Sequence, residues 1–507
     1  MQAQRPFAPC RCCPLIDLLG SARAQCHPAA APSPQAHRPP TADDLSPSDA
    51  ATPAAAEWAL VPEAVWDGLA ATSTPGQAVL IRGEKITAVL PAAELPERVD
   101  RVALPGCTAI PGLIDAHVHT TAAMGPAFLA AGVTTLRDTG NDLHWILGLR
   151  ALHAEHPRAG PTILCCGHAL DFDDPPPPLW NYMVREHSDE HELRASVDEH
   201  VAAGVDQVRP ALPVRGSGLT IGCQIKCYAR LDKHMLAAAA GQAKTHGKFV
   251  LAHLGGKDAF GEATMADAAA AGIDEFEHLV GLDTAWREAD DEEVEAEVES
   301  LLASGLIIDP TLLVWHRYSG ILDNALMYDS RKRWVHPGLL QTWSGFNWRE
   351  DQFVANRHRL RGAMPRLQQF LQKAHARGVV VALGTDTPFP HQIPGFAVHD
   401  ELALYVDAGL SPVEALRCAT STNAAVLGVA KIGRIAPGFV ADLSIVRGDP
   451  TTDIFAVGAV ERVVHSGELM EPAALFAAAQ RLFERDDGDP VSTDLRGRVV
   501  PENPPRL

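Results

Sequence analysis

Residues 112–120 read GLIDAHVHT, an apolar run that ends in two histidines one residue apart. Side chains at i and i+2 of a β-strand share a face, so a strand here presents the imidazoles of His117 and His119 side by side. That is a geometry for holding a metal ion, although two solvent-facing histidines at a strand end fit the pair equally well. The surrounding pattern has to decide. Downstream, short apolar segments alternate with helical ones: AGVTTLRDTG, PTILCCGHAL, QIKCYA, KFVLAHLGG, GIDEFEHLVG, GLIIDPTLLVW and VVVALGTDT bring the strand candidates to eight. LDKHMLAAAAGQAKTHG and FGEATMADAAAAG are among the helical segments between them. Eight βα repeats close most economically into a (β/α)8 TIM barrel with a parallel sheet.

The flanks read differently. From residue 57 to 111 the chain is short strands and turns, with Arg82–Gly83–Glu84–Lys85 as a tight turn inside AVLIRGEKITAVL, and no helical period. IGRIAPGFVADLSIV and AVERVVHSGELM return to short strands after the barrel. Neither flank has enough strands to stand alone, so residues 57–111 and 431–471 are expected to pair into one small β-sandwich beside a barrel at 112–430. Residues 472–507 hold one helix and then a charged, Pro-rich tail. Residues 1–56 are rich in Pro, Ala and Arg and lack hydrophobic periodicity, which reads as a disordered or targeting segment. Arg5, Arg11 and Arg23 with few acids suit an organellar transit peptide, whereas the short apolar core 14–20, interrupted by Asp17, argues against secretion. The expected compartment is cytoplasmic or organellar.

The net charge of −20 disfavours nucleic acid and anionic membrane surfaces as partners. No stretch of about eighteen uncharged apolar residues is present, so no membrane span is expected. The acidic run 290–299 is a solvated helix face, with Val294, Val298 and Leu302 four apart on the inner side. The ten cysteines show no repeated zinc-site spacing and are expected to be reduced thiols.

Active sites of TIM barrels lie at the C-terminal ends of the strands. Five strands end in potential metal ligands: His117 and His119 on the first, Lys226 on the fourth, His253 on the fifth, His278 on the sixth and Asp386 on the eighth. Each has a plain alternative, a hydrogen-bonded strand-end histidine or an aspartate that caps a turn. Together they converge on one barrel mouth, which those alternatives do not explain.

The motifs PGLIDAHVH (111–119), AGVTTLRD (131–138), QIKCYARL (224–231), AHLGG (252–256), EFEHL (275–279), ALGTDT (382–387), GLSPVEALRCATSTNAAVLG (409–428) and IGRIAPGFVADLSIVRGDP (432–450) follow one another over residues 57–470. In this order they resemble the amidohydrolase superfamily, in the branch of imidazolonepropionase-like enzymes and prolidase-type metal-dependent dipeptidases. The resemblance implies two divalent metal ions, with zinc suited to the ligand types. His117, His119 and Asp386 would hold the first ion, and His253 and His278 the second. Lys226 matches the lysine that reacts with CO2 to give a bridging carbamate. It further implies that a metal-bound hydroxide attacks a carbonyl while Asp386 carries the proton to the departing amine. The expected activity is cleavage of an amide or peptide-like C–N bond of a small molecule, such as a dipeptide or N-acyl amino acid. Ester, lactone or phosphotriester hydrolysis on the same ligands is an alternative, and an inactive, metal-free binding module is another. The resemblance suggests a homo-oligomer.

The chain departs from the family pattern before strand four, where residues 208–224, VRPALPVRGSGLTIGCQ, separate Asp206–Gln207 from Ile225–Lys226. Two registers compete, DQVR and CQIK. A guanidinium at Arg209 can neither coordinate a metal nor form a carbamate, so the second is chosen. For substrate contact, Tyr228 and Arg230 just past Lys226 are the candidates for a carboxylate. The long connection between strands seven and eight carries Trp334, Trp343, Phe346, Trp348 and Phe353, read as internal packing of a lid in preference to a ligand box.

Overall fold

The computed structural model describes residues 56–172, 183–205, 224–254, 263–321, 323–344 and 351–484. The expectations for the N-terminal segment up to residue 55, for the insert up to 223 and for the tail beyond 484 lie outside them, as do Phe346, Trp348 and the side chain of Phe353.

The first flank supplies β1 (Glu57–Val65), β2 (Thr74–Pro75), β3 (Gln77–Arg82), β4 (Lys85–Pro91) and β5 (Asp100–Pro111). The expected tight turn is present: Arg82 pairs with Lys85 across Gly83, whose φ of 55° is open to a residue without Cβ. Then come β6 (Leu113–Val118), β7 (Val133–Asp138) and β8 (Thr162–Cys165), which form a parallel sheet in that order. β9 (Ala169–Phe172), β10 (Val184–His187), β11 (Gln224–Cys227), β12 (Phe249–Ala252), β13 (Glu275–Glu277) and β14 (Ile307–Asp309) form a second parallel sheet in the order β10-β9-β11-β12-β13-β14. Among the described residues, the CQIK register lies in the sheet as β11.

β8 and β9 belong to one stretch of chain, so they carry the first sheet into the second. On the far side the segment 380–387 bonds to both. Ile308 N donates to Val380 O (3.1 Å) and Ala382 N to Ile308 O (2.8 Å), while Ala116 N donates to Leu383 O (3.0 Å) and Asp386 N to His117 O (2.8 Å). The result is a TIM-barrel-like α/β fold. Every residue of β6, β7, β11 and β12 is buried, as strands covered on both faces require.

The outer helices start where the sequence offers a cap: Asp142, Asp189, Asp232, Thr264 and Asp290 each accept a backbone N–H with the side chain. Six helices matter below: α1 (Asp291–Ser304), α2 (Leu312–Ser319), α3 (Pro337–Ser344), α4 (Asp351–Ala376), α5 (Phe396–Asp407) and α6 (Pro472–Glu484). α1 is the acidic run. Val294 and Val298 face inward as expected, but Leu301 completes the buried stripe and Leu302 is 40% exposed, because the stripe advances by three after a step of four. Its outer acids are paired: Glu295 meets Lys373 of α4 and Arg377 just past its end, and Glu299 meets Arg377.

β15 (Leu443–Arg447), β16 (Val460–His465) and β17 (Glu468–Met470) complete the flanks. They join the first flank through β15, antiparallel to β5 from Leu443↔Pro111 to Arg447↔Cys107. The strands make one mixed, eight-stranded sheet, ordered β17-β16-β15-β5-β1-β3-β4 with β2 beside β1. Its core holds Trp58, Leu60, Val79, Ile81, Ile445 and Val464. Two lid aromatics pack against the rest of the chain instead of within the lid: Trp343 is buried in the main core, and Trp334 stacks on Phe476 of α6 with centroids 4.2 Å apart. Among the described residues no helix is long and apolar enough to cross a membrane.

Candidate metal centre

The alternation read from GLIDAHVHT has the expected outcome. His117 near the end of β6 and His119 just beyond it turn their rings to one side, and their Nε2 atoms lie 3.4 and 3.1 Å from Asp386 Oδ1. Asp386 comes from the segment that pairs with β6, and Asp115 locks that pairing. Its carboxylate accepts from Thr385 N (3.0 Å), Thr385 Oγ1 (2.7 Å) and His117 N (3.2 Å), fixing both ligand-bearing strand ends together. Asp386 stands at φ 60° and His278 at φ 63°, left-handed conformations that are uncommon outside glycine but that Asp and His enter more readily than most side chains.

The rings are oriented by the protein. His119 Nδ1 bonds Gly140 O at 2.9 Å, and His278 Nδ1 bonds Thr311 Oγ1 at 2.6 Å. His117 Nδ1 faces Glu277 Oε1 at 3.2 Å, off the line of a good hydrogen bond. In each ring Nε2 is the nitrogen left over, the pattern seen where outer groups orient metal-binding histidines. His253, whose ring lies 4.5 Å from that of His278, has a fully buried side chain with neither nitrogen partnered among the described residues. Burial, with Lys226 and the other rings beside them, holds His117, His253 and His278 well below the ordinary histidine range, so all three are neutral donors. Two sets of side-chain atoms are close enough to share an ion: His117, His119 and Asp386, and His117, Glu277 and His278. Orphaned buried imidazoles and carboxylates in one place fit divalent cations by donor type and by charge.

Lys226 on β11 is buried at the same place, where its Nζ contacts Glu277 Oε2, and burial pulls it down to about 7. Below it the barrel holds further charge. Arg137 of β7 makes a double contact with Glu275 of β13, including 2.9 Å from Nη1 to Oε2. Asp309 at the end of β14 accepts from Gly384 N at 2.9 Å and stands 3.8 Å from His117 Nδ1. Burial and the nearby Glu275 push its carboxyl up to about 7.

Glu277, Asp309 and Thr311 were not picked out from the sequence, where strand seven was given no ligand. The signal for Glu277 was Glu275–Phe276–Glu277, two acids at i and i+2 around a buried ring. Tyr228 lines the cavity, 5.0 Å from the His253 ring. Arg230 does not line it, because its Nε lies 3.1 Å from Asp171 Oδ2 while its backbone N donates to Asp171 Oδ1. The cavity, about 470 Å3 including its open side, is walled by all six sequence-predicted ligands, by Tyr228 and by the apolar Met183, Val184, Pro388 and Phe389. Convergent polar groups beside apolar walls are the mixture of a small-molecule site.

Residues 108–470 match the family model described as Amidohydrolase family. No curated protein matches the chain. Solved structures share its fold. An Xaa-Pro dipeptidase with methionine bound in its active site is 20% identical with a TM-score of 0.61, over 82% of this chain and 100% of that one. A putative prolidase from Bifidobacterium longum is 23% identical with a TM-score of 0.62, over 84% and 100%. A bottromycin amidohydrolase is 20% identical with a TM-score of 0.64, over 89% and 94%.

Proposed function

Since the chain belongs to the amidohydrolase family, we propose that it hydrolyses an amide or peptide-like C–N bond of a small molecule, such as a dipeptide or an N-acyl amino acid, with two divalent ions in the cavity. One observation carries the reading: the Nδ1 atoms of His117, His119 and His278 each face a protein group, which leaves three Nε2 atoms for the cavity that Asp386 and His253 share. His117, His119 and Asp386 would hold one ion, and His253 and His278 the other. A carboxylated Lys226 would bridge them, and zinc suits these donors.

Bound divalent ions supply Lewis acidity at the scissile carbonyl and lower the pKa of a coordinated water from 15.7 towards about 7. The chain's own groups do the rest. Asp386, held within reach of both His117 and His119, takes the proton of the attacking water and returns it to the departing nitrogen. Tyr228 faces the substrate from the rim, and Met183, Val184, Pro388 and Phe389 exclude bulk water.

Elemental analysis of protein purified without chelator and with bicarbonate tests this. About two ions per chain are expected, fewer in Lys226→Ala, together with turnover of dipeptides or N-acyl amino acids. A single ion per chain rejects the binuclear centre, and none rejects the hydrolase. Asp386→Asn is expected to keep its melting temperature while losing at least about a hundredfold in kcat. Near-normal turnover in that variant removes Asp386 from proton transfer.

A further inference from the structure

β6 and β7 end side by side, with Val118, the residue between the two histidines, paired to Asp138. Beyond that pair one carboxylate stitches the two chains together. Asp138 Oδ2 accepts from Thr120 N (2.8 Å) and from Asn141 Nδ2 (3.1 Å), and Oδ1 accepts from Gly140 N (3.2 Å). Asn141 Nδ2 also donates to Thr120 O (3.0 Å), and its Oδ1 accepts from Asp142 N (3.1 Å), so the amide is used at both ends. Asp138, Thr120 and Asn141 are fully buried. The three groups bonded to the carboxylate are all donors, and a carboxylate is the side chain that offers acceptors alone.

What this stitching holds is a carbonyl. Gly140 O takes the ring of His119 at Nδ1, 2.9 Å away, which turns Nε2 towards Asp386 Oδ1 at 3.1 Å. The acceptor and the imidazole belong to different strand ends, so their separation depends on what ties Thr120, next to His119, to residues 140 and 141. Asp138 and Asn141 make those ties. The far side is fixed as well: Asn141 N donates to Gly167 O at 2.9 Å, so the peptide that carries Gly140 O is bonded at both of its ends. Little space is left around the ring. A Cβ on residue 140 would stand 3.2 Å from His119 Cε1 and 3.2 Å from the carbonyl oxygen of Met183, which walls the cavity.

We propose that Asp138 is a positioning residue for the first metal ion: it fixes Gly140 O against His119, so that the imidazole donates from Nδ1 and aims Nε2 at the ion. The inference rests on the metal-dependent reading and assigns within it a residue that touches neither ion nor substrate. Asparagine at this position keeps the size but turns an N–H towards a donor, which opens the stitching without emptying space.

The probe is zinc alone, titrated in competition with a chromophoric chelator into metal-stripped full-length protein in bicarbonate buffer. In Asp138→Asn one ion is expected to be held about 10–100-fold more weakly, with the other unchanged. A double-mutant cycle with His119→Ala shows through which group the loss runs. If Asp138 acts through His119, its substitution loosens zinc in the wild-type background and adds nothing once the imidazole is gone. A carboxylate that only supports the fold costs the same in both backgrounds, and that result overturns the proposal. Gly140→Ala leaves the bonds of Asp138 in place and crowds the ring directly, so it should loosen the same ion; unchanged affinity there also overturns it. Asp442→Asn, which alters a buried carboxylate bonded to His465 and Ser466 in the flanking sheet, should melt lower with zinc affinity intact, and an equal loss of zinc in this control would count against Asp138. Should Asp138→Asn fail to fold, Asn141→Ala, which removes the tie to Thr120 O, takes its place in the cycle with the same two outcomes. A wild type that binds no zinc brings down the metal reading and this role with it. Two ions held equally well by wild type and Asp138→Asn bring down the role of Asp138 alone.

Discussion

At the scale of single residues, Thr311 shows how closely the site is held. It stands at φ 42° just before α2, and its hydroxyl lies 2.6 Å from His278 Nδ1, so it fixes which ring nitrogen faces the cavity. Thr311→Val has the same shape and the same β-branch but no hydroxyl. Competition with a chelator should find metal held about 10–100-fold more weakly in that variant, and Thr311→Ser should recover most of the loss. Equal affinity in wild type and valine variant would show that His278 needs no such anchor. Threonine 311 was not legible in the sequence because its partner lies 33 residues earlier, whereas His117 and His119 were legible because a strand's period of two is a local property. Glu277 sits between these cases: its strand is only three residues long, too short for alternation to declare which face it takes. The tie between Arg230, a candidate for a substrate carboxylate, and Asp171 was hidden for the same reason as that of Thr311, since Asp171 is 59 residues away.

At the scale of elements, α2 is the part on which His278 depends. Thr311 makes no side-chain cap to the helix, and the first backbone N–H groups go elsewhere. Leu312 N and Leu313 N donate to the two oxygens of Glu401, 2.8 and 2.6 Å away, and that carboxylate is fully buried on α5. The same helix brings Trp315, whose Nε1 donates to His278 O at 3.1 Å. Glu401→Ala leaves two buried N–H groups unmet and should lower the unfolding free energy by about 2–4 kcal/mol. Glu401→Gln, which still offers one oxygen, should cost about half as much, and urea unfolding of the two variants separates these outcomes from a carboxylate with no structural part. Metal should also leave Glu401→Ala faster, since Thr311 and Trp315 lose their platform. The strands and the acidic helix were legible here because apolar runs and caps are local. The pairing of α2 with α5 was not, because a lone glutamate in DELALYVDAG reads as an ordinary surface residue until the barrel places it at a helix start.

At the scale of the whole molecule, a chain with a net charge of −20 encloses neutral histidines, and these two facts pull stability in opposite directions as pH falls. Lowering the pH relieves repulsion among the acids. It also penalises every imidazole that the fold keeps neutral. His200, remote in sequence from the metal ligands, is the clearest case: Nδ1 donates to Ser196 O at 2.6 Å, and Nε2 accepts from His168 N at 3.1 Å, so a second ring proton would point at an N–H. Burial holds this ring at about 4, against about 6.5 in an unfolded chain. Between those values the unfolded state binds a proton that the folded state refuses, so the contribution is fully present above pH 6.5 and is lost as the pH falls towards 4. From pH 7 to pH 5 the loss from this one ring is about 2 kcal/mol. His153, with Nδ1 on Pro161 O at 2.8 Å and also held at about 4, adds a similar share. Wild type alone cannot separate this from relieved repulsion, but His200→Gln keeps a donor and an acceptor and cannot take a proton. Its urea midpoint should fall less between pH 7 and pH 5 than that of the wild type, by a margin worth about 2 kcal/mol, and parallel pH curves for the two proteins would mean that His200 is protonated in the fold.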